Sequence, residues 1–240
     1  SLISNNMQLL YLRCSDNKFS SLDLSKNTSL ITVDCTNNSL SSLNLGENTS
    51  LNTLDCSNNS LTFLDLSKNT NLRTLRFNNN YIDSIDVSKN QKLVNLYAKQ
   101  NNLTLLDVSA IENLNNLDCS NNFITTLHLN IYLGRLDCSN NKLTSLEVKR
   151  YLNHLYCSDN SISNLYFSSG HSLLDTLDCS NNPLTSLDLS TSDLLKSLHC
   201  NNNQLTILNV KNDKNYNISD FSALQNPKLL RTLTILSFLF

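Results

Sequence analysis

The chain has 240 residues, 40% of them hydrophobic, and a formal net charge of −2 from 18 Lys and Arg against 20 Asp and Glu. That balance leaves no basic footprint for nucleic acid or an anionic membrane surface. No stretch is long and apolar enough to cross a bilayer as a helix, so no membrane insertion is expected. Three Gly and two Pro leave no flexible linker, and the chain reads as one domain, a stack over 1–229 followed by an apolar segment over 230–240.

Elements recur in chain order on a single ruler. The first has Leu9, Leu12, Cys14 and Asn17, and the order stands ten times in all, twice with another residue at the Cys mark. The central mark is Cys14, Cys35, Cys56, Phe77, Ala98, Cys119, Cys138, Cys157, Cys179 and Cys200, in steps of 21, 21, 21, 21, 21, 19, 19, 22 and 21. Three residues after it the chain always has Asn: Asn17, Asn38, Asn59, Asn80, Asn101, Asn122, Asn141, Asn160, Asn182 and Asn203. A period of this length predicts a solenoid, in which each coil buries its apolar side only by stacking on its neighbours.

Within each coil, Leu, an outward residue and Cys in alternation predict a short half-buried strand, and the Asn marks the turn after it. Strand on strand at about 4.8 Å gives a parallel ladder with right-handed crossovers. An Asn amide both donates and accepts, so a stacked Asn column can satisfy turn backbone that water does not reach. The second half-coil, LxxLDLSxN, repeats the spacing with Asn27, Asn48, Asn69 and Asn90 in the matching slot. Strand material is therefore expected on both broad faces of each coil, in a weakly curved prism about 50 Å long with little or no helix.

The composite pattern, LxxLxCxxNxLxxLDLSxN, resembles the leucine-rich repeat over residues 3–229. Its Cys-bearing, 21-residue form resembles bacterial proteins of the internalin J and flavobacterial secreted type. The resemblance implies a β-rich leucine-rich-repeat solenoid of ten to eleven coils, in an extracellular or cell-surface protein that binds others.

Eight cysteines raise disulfides and zinc. Metal sites want C-x₂₋₄-C pairs, which do not occur, and no metal or cofactor is expected. In-register ladder neighbours point the same way, which suits the disulfide torsion poorly, so free buried thiols are expected. Ile3 and Asn6 fall in the slots of Leu24 and Asn27, so the chain opens inside a coil, without initiator Met or signal peptide, and reads as a piece of something longer. Residues 218–229 fit an eleventh coil. The segment after it, LLRTLTILSFLF, reads as a capping strand or an unpaired apolar end.

Outward positions at minus three, minus one and plus one of the mark usually hold Thr, Asp and Ser. Two departures mix rings and cations: Arg76, Tyr97 and Lys99, and Arg135, His154 and Tyr156. Charge relief along the Asp column accounts for them first; the sharper reading is recognition, since such residues dominate binding energy at interfaces. Tyr132 and Tyr151 are expected close together at an edge, where the two shortened coils lack the SKNTS loop. On the opposite face Phe63, Leu105 and Ile207 point outward. His128, His154, His171 and His199 lie in different coils, and no G-x-S-x-G, Gly-rich phosphate loop or H-E-x-x-H occurs. Catalysis is not expected. Three roles stay open: a protein- or glycan-binding module using the Cys-side sheet, a structural spacer, and an ice-binding face.

Overall fold

A computed structural model describes residues 6–167, 173–210 and 218–229. Ile3, His171 and the segment 230–240 lie outside those residues. The chain divides into two compact units, Ser1–Asn130 and Ile131–Phe240. Both are leucine-rich-repeat solenoids of parallel strands, with no α-helix among the described residues.

In the first unit six Cys-side strands follow one another: β1 (Tyr11–Arg13), β2 (Thr32–Asp34), β3 (Thr53–Asp55), β4 (Thr74–Arg76), β5 (Asn95–Tyr97) and β7 (Asn116–Asp118). Between and after the last of these come β6 (Leu105–Asp107) and β8 (Thr126–His128) on the second face. Register is strict, Leu12 opposite Val33, Leu54 opposite Leu75 and Leu96 opposite Leu117, so each letter of the repeat stacks on its own kind. In the second unit the Cys-side strands are β9 (Arg135–Asp137), β11 (His154–Tyr156), β13 (Thr176–Asp178), β15 (Ser197–His199) and β17 (Asp220–Ser222). Its second face carries β10 (Ser145–Val148), β12 (Asn164–Phe167), β14 (Ser186–Asp188) and β16 (Ile207–Asn209). The eleventh coil is real, with Phe221 opposite Leu198.

Strands of three or four residues have no independent stability. Stacking supplies it. Leu30, Leu51, Leu72 and Leu93 at minus five, and Val33, Leu54, Leu75 and Leu96 at minus two, are wholly buried. Burying each such side chain is worth about 1.5–3 kcal/mol before entropy is counted. All eight cysteines are free and buried, and Phe77 and Ala98 at the same mark are buried too. The Cys35 thiol donates to the Asp55 carbonyl at 3.6 Å and the Cys56 thiol to that of Arg76 at 3.5 Å, each reaching the next coil.

The Asn column does the work its spacing predicts. Asn122 Nδ2 donates to the carbonyls of Cys119 and Ser120 in its own coil and of Ala98 in the preceding one. Its Oδ1 accepts the Leu103 N–H at 3.0 Å, also in the preceding coil. Asn59, Asn80, Asn101, Asn182 and Asn203 repeat this set, and all are buried. Asn17 is exposed, and Asn38, Asn141 and Asn160 are half-buried.

Strand on both faces of every coil is not what the chain forms. In the first four coils the second half has no strand, and the β6–β8 pair begins only at Leu105. Asn48 Nδ2 takes the Leu24 carbonyl, Asn69 that of Leu45 and Asn90 that of Leu66, so side-chain amides tie these coils where a backbone ladder would. In the fifth coil that slot is Ile111, and between the fifth and sixth coils a backbone ladder, with Val108 N–H on the His128 carbonyl at 2.9 Å, stands beside an amide tie from Asn130 Nδ2 to the Ile111 carbonyl at 2.9 Å.

Candidate interaction surface

The positions expected to point outward on the Cys-side sheet are mostly half-buried, because neighbouring columns stand only a strand apart. At plus one, Ser57, Ser120 and Ser180 are buried. The Asp two residues earlier draws that residue in: Asp118 Oδ1 accepts both the N–H and the hydroxyl of Ser120, at 3.0 and 2.7 Å. Asp34, Asp55, Asp137 and Asp178 make the same turn with Thr36, Ser57, Ser139 and Ser180. The common Thr-Asp-Ser triplet thus uses its own polar groups internally.

The two departures are built differently. Arg76 and Tyr97 pair in register on β4 and β5, and the guanidinium carbon lies 4.8 Å from the ring centroid. Lys99 is exposed two residues beyond Tyr97 and its backbone N–H donates to Asn78 Oδ1. Beside the stack a polar file runs from Asn116 Nδ2 to Asn95 Oδ1, and from Asn95 Nδ2 to Thr74 Oγ1. In the second unit Arg135 lies diagonally over Tyr156, 4.7 Å from its centroid. His154 pairs in register with Arg135, but its ring Nδ1 sits 3.2 Å from Thr176 Oγ1 on the far side. Asp137 Oδ1 accepts the Ser139 hydroxyl, and among the described residues no ion pair or hydrogen bond joins His154 to Asp137. Two of the three residues in each predicted patch therefore touch, and the third flanks them.

Sequence spacing missed three features. One residue before every ladder Asn the backbone is left-handed: Asp16, Asn37, Asn58, Asn79, Gln100, Asn121, Asn140, Asp159, Asn181, Asn202 and Gln225 have φ of 52–57°. Asn and Asp tolerate that region, and the recurrent Asn-Asn pairs were its sequence signal. Along this edge Asn37 donates to Asp16 and Asn202 to Asn181. Secondly, Asp220 of the last coil accepts from Ser197 at 2.9 Å and meets His199 Nε2 at 3.0 Å; these bonds, His199 first, lower its carboxyl below the usual range. Thirdly, Asp107 and His128 meet at 3.5 Å on the second face.

The thiols offer little chemistry. Burial pushes Cys35 and Cys200 up to about 12 and drives Cys56, Cys157 and Cys179 far above the ordinary thiol range. Among the described residues no three His, Cys, Asp or Glu side chains are placed to hold a metal ion.

No family model matches the chain, and no curated protein matches it. Solved structures do. The leucine-rich repeat domain of APL1B is 23% identical with a TM-score of 0.68, the match covering 86% of this chain and 64% of that one. An internalin, InlF of Listeria monocytogenes, is 18% identical with a TM-score of 0.56, covering 92% and 88%. The functional domain of InlJ from Listeria monocytogenes, which includes a cysteine ladder, is 28% identical with a TM-score of 0.47, covering 85% and 60%. The chain thus spans 60% and 64% of the InlJ and APL1B chains.

Proposed function

We propose that this leucine-rich-repeat solenoid is a non-catalytic interaction module of a secreted or cell-surface protein, holding a protein or glycan ligand on its Cys-side sheet. The observation that carries this is the contrast between the two kinds of coil. Consensus coils satisfy their outward Asp and Ser internally, while the side chains of Arg76 and Arg135 each lie over a Tyr ring and donate no hydrogen bond to a described residue. A guanidinium has five N–H donors, and cation–π stacking positions it while leaving those donors for an acceptor. Arg and Tyr are the residue types over-represented among binding hot spots. The surface placement rests on the resemblance in the repeat pattern and on the internalin neighbours.

The test is the double substitution Arg76→Ser with Tyr97→Asp, which restores the common column residues. Binding to an array of extracellular proteins and glycans should fall while the thermal midpoint stays put, since only half-exposed side chains change. Binding that persists in this variant moves the site to Arg135 and Tyr156. A parent that binds nothing reproducibly favours a spacer, the reading that the self-satisfied consensus columns support.

A further inference from the structure

We propose that the edge formed by the two shortened coils, Ile131, Tyr132, Arg150 and Tyr151, together with Arg135 at the start of β9, is a docking site for an acidic, partly apolar segment of a partner protein. It rests on the chain being an interaction module, but on none of the residues of the Arg76 patch.

The site comes from a local change in the repeat. Six residues before the mark, regular coils carry Ser50, Asn71, Lys92 and Asn113. These tie the edge together: Asn71 Nδ2 donates to the Thr49 carbonyl at 3.1 Å, Lys92 Nζ to Asn71 Oδ1 at 2.7 Å, and Asn113 Nδ2 to the Gln91 carbonyl at 3.0 Å. In the coils of Cys138 and Cys157 two residues are missing and this position is Tyr132 and Tyr151. Their rings stack with centroids 5.6 Å apart and planes 27° apart. The stack is not buried: Tyr132 keeps 48% of its surface exposed, Tyr151 42% and the adjoining Ile131 54%. Where regular coils place polar side chains at this edge, the shortened coils place two stacked rings and the exposed Ile131.

Charge selects the occupant. The Arg150 guanidinium lies 5.9 Å from the Tyr151 centroid, and that of Arg135 lies over Tyr156. Neither forms an ion pair or donates a hydrogen bond among the described residues. The carboxylates nearby are already engaged: Glu147 with Lys149 at 2.6 Å, Asp137 with Ser139, and Asp175 with Lys196 at 2.5 Å. The Arg150 guanidinium beside an exposed ring, with Arg135 three residues along the chain from Tyr132, calls for carboxylate oxygens, which accept two parallel N–H bonds from one guanidinium. One face of each Tyr ring is spent on the other, which leaves little platform for a sugar ring. Ile131 and the ring edges want an apolar side chain next to the acid, which a peptide supplies and a uronic-acid polymer does not.

The experiment is fluorescence anisotropy on the full chain with a labelled twelve-residue peptide alternating Glu and Leu. Controls are the same peptide with Lys for Glu and an oligogalacturonate as competitor. The Glu peptide should bind, weaken with added salt, and lose at least tenfold in affinity in Arg135→Glu with Arg150→Glu. Arg150→Gln, which removes the charge alone, should weaken it in the same direction should the double variant fold poorly. Lys89→Ala, an exposed cation elsewhere, should change nothing. The proposal is overturned by failure of the Glu peptide to bind, by equal binding of the Lys peptide, by affinity unaltered in both Arg variants, or by oligogalacturonate binding more tightly at the same residues. Arg76 and Tyr97 are unchanged throughout, so a negative result here leaves the Arg76 reading intact, and Arg150→Gln, which leaves Arg135 and Tyr156 in place, separates this edge from the second patch of the sheet face.

Discussion

Asn122 serves three carbonyls and one N–H with a single amide, and half of those partners belong to the preceding coil. Losing it strands buried backbone groups that no water reaches, at a cost of about 1–3 kcal/mol. Asn122→Ala should therefore lower stability by that amount in chemical denaturation, whereas Lys142→Ala at the exposed next-coil surface should stay within about ±0.5 kcal/mol. Equal effects would refute a stapling role for the column. This column was legible because one residue type fills one slot in every coil. The left-handed column next to it was not, because Asp16, Asn58 and Gln100 share a φ but not a name. Backbone conformation repeats more strictly here than side-chain identity.

At the scale of the half-coil, the LDLS motif is a turn held by its own carboxylate. Asp65 and Asp86 accept the backbone N–H of Ser67 and Ser88 at 2.9 and 2.8 Å, and these bonds lower both carboxyls below their ordinary 3.8. Asp23 and Asp107 are lowered in the same way, their Ser hydroxyls being the larger cause. A carboxyl with a depressed folded value stabilises the fold above its unfolded value and ceases to do so as pH falls through the folded one. The unfolding midpoint should thus change little from these groups between pH 7 and 5 and decline below 3.8. The double variant Asp65→Asn with Asp86→Asn, followed by circular dichroism from pH 5 to 2, should decline less steeply. The sequence announced the periodicity of this half-coil but not its hydrogen bonding. Leu24 and Val108 occupy one slot, yet the backbone ladder forms at Val108 and not at Leu24.

Across each unit, the cysteine line makes the fold sensitive to alkali. Burial raises the folded values of Cys35 and Cys200 from 9.0 to about 12. An acid whose folded value is raised stabilises the folded state fully below its unfolded value, and that contribution is lost as pH climbs from 9.0 towards 12. Unfolding midpoints should hold to about pH 9 and then fall steeply, and a thiol reagent at pH 8 should label few groups before denaturation and eight after. Cys14, in the first coil with 9% of its surface exposed, should react first. Rapid native labelling of most thiols would contradict the buried line. The fold was readable at this scale because a solenoid is one coil restated. The two stacked Arg–Tyr pairs were readable only as neighbours, since diagonal contact, as between Arg135 and Tyr156, depends on side-chain reach and not on register.

Phe77 and Ala98 fill adjacent marks of the cysteine line, both fully buried, the largest residue type to stand there beside the smallest. A void or an overfilled mark costs about 1–5 kcal/mol, and a large side chain one coil from a small one is the arrangement that avoids both. Solenoids lengthen and shorten by gaining or losing whole coils, and most cuts in a line of identical cysteines leave no scar. A cut between these two coils does: duplicating the fourth sets Phe against Phe, and deleting it sets Ala against Cys56. The pair acts as a seam at which repeat number is hard to change, and duplication or deletion of residues 57–77 should fold poorly where the same operation on residues 36–56 succeeds.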